Sequence, residues 1–358
     1  MSKKLLYNFW GYLSDKKGIS SPDGNFIYTP WILDEFMKRG WKVYGGPIDR
    51  DKELVDKFGK TAFNSFSTDK RFEIYNNLKF VDMNNLPEID LLFLEWRFPT
   101  KSNMQEGSPD LDIQNKLIDH YQKKGTKIVV FDLDYKFTEE DESKVRPWKT
   151  LETSLKPKRN HTSVFIPFDF EQLGQFPIEV PHLNNILTYV GNNYEREFDF
   201  NNKLIPASNF YPGNVHLIGN WMGEKSKEFR ETNKNIKYHD RIDASGFRNA
   251  YKNAMLVPLL AKEEYKQNGY MTARIIESLF WGSLPLGFSD FYGINEWLPE
   301  ELIVDMNDFE KSFKSIVERQ LYIGYLPRRE LRDKVIKNVR EKHGADKFVD
   351  KVLEGFEK

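Results

Sequence analysis

Short apolar runs alternate with amphipathic segments over the first 170 residues. The apolar runs are typical of strands buried on both faces of a parallel sheet, and the amphipathic segments carry apolar residues at helical spacing and end at a glycine. The pattern predicts strands at Leu5–Phe9, Trp41–Tyr44, Asp90–Leu94, Lys127–Phe131 and Ser163–Ile166. It predicts helices at Tyr28–Arg39 and Leu111–Lys124.

A second series of the same kind begins at Leu187 and includes a helix at Thr272–Trp281. Its predicted strands are Leu187–Val190, Val215–Gly219, Ala254–Leu259, Leu284–Gly287 and Leu302–Val304. Between the two series, Asp169–Pro181 contains one glycine and two prolines and is predicted to be a linker. The segment from Arg328 onward is helical in pattern. The alternation favours an α/β protein with two Rossmann-like halves, which bind ligands at the carboxyl ends of their strands.

Composition narrows the class of protein. The length of 358 residues fits two domains, and 53 basic against 54 acidic residues argue against a globally basic nucleic-acid or membrane binder. A polyanionic partner would therefore have to meet a local patch. The absence of cysteine excludes disulfides, thiolate zinc sites and a cysteine nucleophile. No apolar stretch reaches the length of a membrane span, so we expect a soluble cytoplasmic protein.

Two carboxylates, Asp132 and Asp134, end the predicted strand that begins at Lys127. Strand alternation would send both to one side, where they could share a metal or divide acid and base roles. The pattern resembles the nucleophile motif of haloacid-dehalogenase phosphatases and the D-x-D motif of metal-dependent nucleotide-sugar transferases. Alternatively, Asp134 is a lone general base in an interdomain cleft, or the carboxylates only cap the next loop. These four interpretations stay open on the local sequence.

A second constellation surrounds the helix predicted at Thr272–Trp281. Glu277, Gly282 and Pro285 form an E-x4-G-x2-P stretch that resembles the nucleotide-binding signature of two-domain GT-B glycosyltransferases. A helix carboxylate can accept both ribose hydroxyls, and Arg274, one turn earlier, can bind a diphosphate. The alternative is an ordinary Glu–Arg pair on a solvated helix face.

The third constellation is a glycine-containing loop after the strand predicted at Leu187–Val190. Gly191 follows the strand and Arg196 precedes a predicted helix start. Such a loop lets backbone N–H groups and an arginine approach phosphate oxygens. A plain strand-to-helix turn would look the same in sequence.

Taken in order, these segments resemble the bacteriophage DNA β-glucosyltransferases, which modify 5-hydroxymethylcytosine in DNA. The similarity is carried by motifs spread over most of the chain. They are Gly11 after the first strand, Lys127–Lys136 with Asp134, Lys144-x-Arg146-Pro-Trp148, Phe176–Glu179, Gly191 with Arg196, Leu217–Asn220, Arg241-Ile242 and Thr272-x-Arg274-x-x-Glu277.

The resemblance implies a GT-B fold, with two Rossmann-like domains facing across a deep cleft and a C-terminal helix that returns to the first domain. Residues 1–175 would bind the acceptor DNA and carry the catalytic base. Residues 176–335 would bind the nucleotide sugar, and residues 336–358 would form the returning helix. We expect a monomer.

The implied activity is an inverting transfer from a UDP-sugar to the hydroxymethyl group of a modified pyrimidine, such as 5-hydroxymethylcytosine, flipped out of double-stranded DNA. Asp134 would be the catalytic base. The nucleotide-sugar site would comprise Gly11, Gly191, Arg196, Ile242, Arg274 and Glu277. An Mg²⁺ or Mn²⁺ ion would suit the carboxylate pair, although no residue is assigned as a metal ligand. The phosphate loop is about two residues shorter than in the family and has one arginine instead of two, which leaves part of the diphosphate contacts unaccounted for. The acidic residue that the family places before its first helix has Asp23 as its nearest candidate here, which leaves the sugar open, and the acceptor base is open as well.

A local basic segment is the predicted DNA contact. Between Glu142 and Arg159 there are six basic and two acidic residues, and we expect Lys144, Arg146, Trp148 and Lys149 to bind DNA. A solvated charged loop is the alternative for this segment. For the whole chain, the alternatives are a GT-B transferase acting on a glycan, lipid or protein, and a non-catalytic module that binds nucleotide sugar or DNA.

Overall fold

The computed structural model describes residues 2–8, 13–14, 21–22, 28–46, 74, 78–96, 109–168, 170, 185–242 and 244–356. The chain divides into two compact units. The N-terminal unit comprises Met1–Phe168 and Lys342–Lys358, and the C-terminal unit comprises Asp169–Glu341. The predicted linker lies outside the described residues except for Phe170, and so does the predicted boundary at residue 175.

The N-terminal unit is built on a seven-stranded parallel sheet. Its strands, with an antiparallel pair of two-residue strands (β2 and β3), are β1 Lys4–Asn8, β2 Leu13–Ser14, β3 Ser21–Pro22, β4 Lys42–Gly45, β5 Lys79–Phe80, β6 Leu91–Trp96, β7 Lys127–Asp132, β8 Lys149–Glu152 and β9 Thr162–Ser163. The order in the sheet is β5-β4-β1-β6-β7-β8-β9. Helices α1 Thr29–Lys38, α2 Pro109–Lys123 and α3 Glu139–Val145 connect these strands.

The central strands of this sheet were predictable because they are continuous apolar runs. All six residues of β6 are buried, and Leu92 and Leu94 pack with Ile128 and Val130 of β7 in one core cluster. Strand β8 was not predicted, since its sequence Lys-Thr-Leu-Glu lacks an apolar run although three of its four residues are buried. The strand predicted at Ser163–Ile166 is only Thr162–Ser163.

The C-terminal unit has a six-stranded parallel sheet. Its strands are β10 Leu187–Val190, β11 Val215–Ile218, β12 Ile236–His239, β13 Leu256–Pro258, β14 Leu284–Phe288 and β15 Ile303–Val304, in the order β12-β11-β10-β13-β14-β15. The five strands predicted here are confirmed to within a few residues. Strand β12 was missed because it lies at the sheet edge with only one of its four residues buried.

The remaining helices follow these strands along the chain. Helix α4 is a continuous run of α-helical Glu197–Asp199, π-helical Phe200–Leu204 and α-helical Ile205–Phe210. The others are α5 Lys227–Thr232, α6 Ala244–Lys252, α7 Glu263–Asn268, α8 Arg274–Phe280, α9 Phe309–Tyr322, α10 Tyr325–His343 and α11 Ala345–Leu353. Short 3-10 turns lie at Glu224–Ser226, Ile294–Glu296, Glu300–Leu302 and Met306–Asp308. None of the described helices is long and apolar enough to cross a bilayer.

The C-terminal helix belongs to the N-terminal unit, as the family resemblance implied. The Phe348 ring of α11 lies 5.2 Å from the Phe131 ring of β7 and 6.2 Å from the Phe93 ring of β6. Arg39, just after α1, pairs with Asp350 at 2.7 Å. Burial of the apolar face of α11 therefore fastens the last residues of the chain to the sheet formed by the first ones.

Both sheets reverse their strand order beside their first strand. In the N-terminal unit the reversal lies between β1 and β6, and in the C-terminal unit between β10 and β13. Open α/β sheets bind ligands outside the carboxyl ends of the two strands at such a reversal. Within each unit, the site should therefore be sought where these strands end.

Candidate functional site

Arg274 joins the ends of the two strands at the reversal in the C-terminal unit. Its Nη2 donates to the carbonyl oxygen of Val190 at 3.1 Å, and its Nη1 to that of Leu260 at 3.4 Å. Val190 ends β10, and Leu260 lies two residues beyond β13. The guanidinium lies 4.4 Å from the centre of the Tyr189 ring. The buried Nε has no hydrogen-bond partner among the described residues, so a donor remains for a ligand.

The surroundings keep Arg274 charged. Burial opposes the charge, but Tyr189, Tyr251 and Glu277 together raise the pKa of Arg274 above its usual value. The result is a fixed, partly desolvated cation at the carboxyl end of the sheet, which favours an anionic ligand.

Glu277 lies one turn after Arg274 on α8. Its Oε2 accepts a hydrogen bond from the Tyr251 hydroxyl of α6 at 3.0 Å. Burial raises the pKa of Glu277, although Arg274 and the hydrogen bond from Tyr251 act in the opposite direction. Tyr251 is fully buried, and neither Tyr251 nor Tyr189 was singled out from the sequence as a partner of this pair. No local motif signals Tyr251, because it lies 26 residues before Glu277.

Two glycines let the loops after β10 and β11 approach each other. Gly191 has φ +144°, and a Cβ there would lie 3.2 Å from Arg274 Nη2. A Cβ on Gly219 would lie 2.6 Å from the carbonyl oxygen of Gly191. That same carbonyl accepts a hydrogen bond from Trp221 Nε1 at 2.8 Å. Side chains at either position would therefore displace the loop from the guanidinium.

Arg196 lies immediately before α4, at the end of the loop that starts at Gly191. Its Nη1 donates to the carbonyl oxygen of Tyr194 at 2.9 Å. Its Nε and the Oδ1 of Asn193 are buried without a hydrogen-bond partner in the described part of the chain. This loop thus offers a second cation and an unpaired amide oxygen at the end of β10.

Of the two remaining predicted nucleotide-sugar residues, the structure describes Ile242. Ile242, three residues beyond β12, lines a cavity of about 640 Å³ together with His216, His239 and Asn249. The His216 Nδ1 and His239 Nε2 atoms in this cavity are 3.0 Å apart. Gly11 lies outside the described residues.

In the N-terminal unit, the two predicted carboxylates have different environments. Asp132 is buried at the end of β7, where its Oδ1 accepts the N–H of Lys136 at 2.8 Å and its Oδ2 the N–H of Phe137 at 3.0 Å. Burial raises the pKa of Asp132 to about 6, against these two hydrogen bonds, which lower it. The side chain of Asp134 is 37% exposed and pairs with Lys136 at 3.4 Å.

The expectation that strand alternation directs both carboxylates to one side is not met, because the strand ends at Asp132. The chain bends over residues 133–135, and Tyr135 adopts φ 58°. Asp132 has two N–H donors and Asp134 has a lysine. No group of three or more histidine, aspartate or glutamate side chains among the described residues is placed to hold a metal. The pair therefore does not fit a shared Mg²⁺ or Mn²⁺ ion.

The four predicted DNA-binding residues lie at the opposite end of the strands from Asp134. Lys149 pairs in register with Val129 near the start of β7, and Trp148 donates its backbone N–H to Ile128. Lys149 Nζ donates to the carbonyl oxygens of Lys351 and Glu354, and the Trp148 ring lies 5.5 Å from Phe356. Lys144 and Arg146 are exposed at the end of α3.

Other basic side chains of the same segment follow β8, at the carboxyl end of the sheet. Lys156 is exposed, and Lys158 Nζ lies 4.6 Å from the centre of the Tyr135 ring, next to Asp134. Strand β8 runs through the middle of this basic segment. The first basic residues of the segment therefore lie at the amino ends of the strands, and the last ones lie at the carboxyl ends.

Comparison with known proteins identifies the fold. The sequence matches no protein-family model and no curated protein. An alpha-glucosyltransferase solved with UDP and a 13-mer DNA containing an HMU base superimposes over the full length of both chains, with a TM-score of 0.60 and 14% identity. The chain has the GT-B fold.

Two further structures support the assignment of the GT-B fold. Sucrose-phosphate synthase from Thermosynechococcus elongatus matches with a TM-score of 0.57 and 12% identity, covering 99% of this chain and 98% of its own. The Anabaena protein HepE, solved with UDP and glucose, has a TM-score of 0.54 and 10% identity over 99% of each chain. At such identities the likeness establishes the fold. The resemblance to the β-glucosyltransferases is therefore supported for the fold. It is not supported for the β linkage.

Proposed function

We propose that this GT-B protein transfers a sugar from a UDP-sugar to the hydroxymethyl group of a modified pyrimidine in DNA. The observation that carries the proposal is Arg274, a charged guanidinium that bridges the ends of β10 and β13 and keeps one buried donor unused. Both the position and the charge suit the diphosphate of a sugar nucleotide.

The donor would be held by residues of the C-terminal unit alone. Arg274 and Arg196 would bind the diphosphate, and the backbone of Gly191 lets the loop approach it closely. Glu277 would accept hydrogen bonds from ribose hydroxyls, with Tyr251 fixing one of its oxygens. Ile242 would contact the uracil ring through its backbone.

Asp134 would act as the general base. It accepts the proton of the acceptor hydroxyl while that oxygen forms a bond to the anomeric carbon, and the bond from this carbon to the UDP oxygen breaks. Arg274 and Arg196 offset the charge that develops on the departing UDP, and Asp134 later releases its proton to water. Attack opposite to UDP inverts the anomeric configuration.

DNA as the acceptor is supported by the ordered motif resemblance and by the alpha-glucosyltransferase neighbour solved with DNA. A pyrimidine inside a duplex cannot present its hydroxymethyl group to the base, so the nucleotide must leave the stack at a cost of about a few kcal/mol. Phosphate contacts from basic side chains near Asp134 would offset this cost.

The proposal is tested by incubating the protein with UDP-glucose or a mixture of UDP-sugars and with DNA containing 5-hydroxymethylcytosine or 5-hydroxymethyluracil. Mass spectrometry of the digested nucleosides is expected to detect a hexosyl or pentosyl adduct on one of the two bases. An NMR spectrum of the product gives the linkage, and a β product from an α-linked donor supports Asp134 as the base. An α product would contradict inversion, and no adduct with any donor would contradict the acceptor.

A GT-B transferase with a small carbohydrate acceptor is the second candidate, favoured by the net charge of −1. The salt dependence of acceptor binding distinguishes the two candidate functions. DNA binding weakens steeply as salt rises, because phosphate contacts release counterions, whereas recognition of a neutral sugar does not.

Two matched double variants locate the DNA contact. Lys156→Ala with Lys158→Ala removes two cations at the carboxyl end of the sheet, and Lys144→Ala with Arg146→Ala removes two from the same segment at its other end. We expect the first pair to weaken DNA binding about 10-fold and to make the slope of log K against log salt less negative by about 2. The second pair should change affinity less than about twofold. Fluorescence anisotropy across a salt series measures both, and the reverse ranking would favour the contact predicted from sequence.

A further inference from the structure

We propose that Asp132 is a positioning residue, which holds the segment Leu133–Phe137, here called the Asp134 loop, in the conformation that presents Asp134 to the acceptor. The inference rests on the proposed function, because it assigns a purpose to the placement of Asp134. It concerns a second carboxylate that contacts no substrate in the proposed reaction.

The backbone of the Asp134 loop needs outside support. Tyr135 adopts φ 58°, a left-handed conformation that costs a non-glycine residue free energy. Asp132 compensates by accepting both N–H groups that follow the turn, those of Lys136 and Phe137, at 2.8 and 3.0 Å. One buried carboxylate therefore closes the loop that carries Asp134.

The residues after β8 hold the same loop from the other side. Thr153 Oγ1 donates to the Leu133 carbonyl at 3.4 Å, and the Tyr135 hydroxyl donates to the Thr153 carbonyl at 3.3 Å. Arg159 Nη2 donates to the Phe137 carbonyl at 2.9 Å, and Arg159 is itself paired with Glu142 at 3.0 Å. These contacts hold the loop at both ends and at its left-handed residue.

Several charged groups face Asp132. Glu152 of β8, its register partner, raises the pKa of Asp132, and His161 lowers it. Glu152 is fully buried and accepts His161 Nδ1 at 2.9 Å, and Glu142 lies 3.9 Å from His161 Nε2. The charged Lys136 side chain extends from the loop itself to Asp134.

This environment has a consequence for stability. A carboxylate whose pKa is raised to about 6 in the folded protein is ionised at a cost above that pH, and the cost is relieved as the pH falls towards the usual value of 3.8. Ionised Asp132 thus lowers the stability of the fold at neutral pH while it orders the loop. When Asp132 is protonated, one carboxyl oxygen becomes a hydrogen-bond donor, and the side chain no longer accepts both N–H groups.

The experiment compares Asp132→Asn with Asp141→Asn, a matched control. Asp141 is also a buried carboxylate of the N-terminal unit, but it accepts the N–H and the hydroxyl of Thr138, the residue after the Asp134 loop. We expect Asp132→Asn to lower kcat about 10- to 100-fold, with KM for the UDP-sugar within about twofold. Hydrogen exchange at the amides of Lys136 and Phe137 should accelerate. Asp141→Asn should leave kcat within about twofold.

A pH profile adds a readout that a general loss of folding does not produce. The kcat of the wild type should fall as the pH decreases through about 6, and the fall should be absent in Asp132→Asn, which has no group to protonate there. If Asp132→Asn does not fold, the wild type tests the same inference. Hydrogen exchange at the amides of Lys136 and Phe137, corrected for its intrinsic pH dependence, should lose protection as the pH decreases through about 6, because protonated Asp132 no longer accepts both N–H groups. Unchanged protection over this pH range would contradict the positioning role.

Retained kcat in Asp132→Asn despite faster exchange would overturn the positioning role, as would unchanged exchange. The proposed function fails separately, when the wild type forms no adduct on DNA or when Asp134→Asn is fully active. Asp132→Asn therefore tests the positioning role, whereas the wild type and Asp134→Asn test the proposed function.

Discussion

Asp134→Asn is expected to lower kcat for transfer to DNA by about 10²- to 10⁴-fold, the contribution of a positioned general base. The amide keeps the size of the side chain but cannot accept the proton of the attacking hydroxyl. Since the side chain of Asp134 is 37% exposed, the fold should tolerate the change. Single-turnover assays with radiolabelled UDP-sugar and hydroxymethylated DNA measure the chemical step directly.

The matched controls keep this prediction specific. UDP binding by calorimetry should be unchanged in Asp134→Asn, because the proposed donor residues belong to the C-terminal unit. Asp305→Asn, which changes an exposed carboxylate that accepts the N–H of Asn307, should leave kcat unaltered. Full activity of Asp134→Asn would exclude it as the base and return the assignment to the other interpretations of the carboxylate pair.

Arg274→Ala is expected to weaken UDP binding and to lower kcat/KM by about 10²- to 10³-fold, because it removes a preorganised cation from the departing diphosphate. It also leaves the carbonyl oxygens of Val190 and Leu260 without their donor, which loosens the ends of β10 and β13. Calorimetry with UDP and steady-state kinetics with UDP-sugar measure the two effects separately.

Arg274→Lys separates charge from geometry. An ammonium keeps the charge but cannot donate to both carbonyls and to a phosphate in one plane, so we expect it to recover only part of the activity. The exposed Arg319→Ala, on α9 of the same unit, controls for a general change in charge. Unchanged UDP affinity in Arg274→Ala would contradict the donor site at the end of β10.

The two sites differ in how far local sequence predicts them. Arg274 and Glu277 are recognisable because one helix turn places them together, and the helix period is written in the sequence. Their partners Tyr189 and Tyr251 come from a strand and another helix, 85 and 23 residues away from Arg274, and no local spacing records such distances. The unused Nε of Arg274 is likewise visible only once its neighbours are in place.

The carboxylate pair illustrates the opposite case. Two aspartates at a spacing of two predict a common side only if the strand continues through both. The strand stops at Asp132, whose oxygens accept the next turn, and the left-handed Tyr135 turns Asp134 out of the sheet. Where a strand ends depends on its hydrogen-bonded neighbours, so the local pattern could not distinguish the capping carboxylate from the exposed one.

By itself, the sequence determined the α/β class and the central strands, because burial of continuous apolar runs and amphipathic faces dominates the free energy of folding. The return of the C-terminal helix was implied only by the resemblance to a known family. The tertiary structure alone decided the strand order, and hence the reversal that Arg274 bridges. It also decided that Lys144–Lys149 and Lys156–Lys158 lie at opposite ends of the strands of one sheet. In a parallel sheet, the strands end on the same side, so residues from distant parts of the chain meet there. Residues before and after one strand lie at its two opposite ends although they are close in sequence. Which residues form one site therefore depends on the topology and not on proximity along the chain.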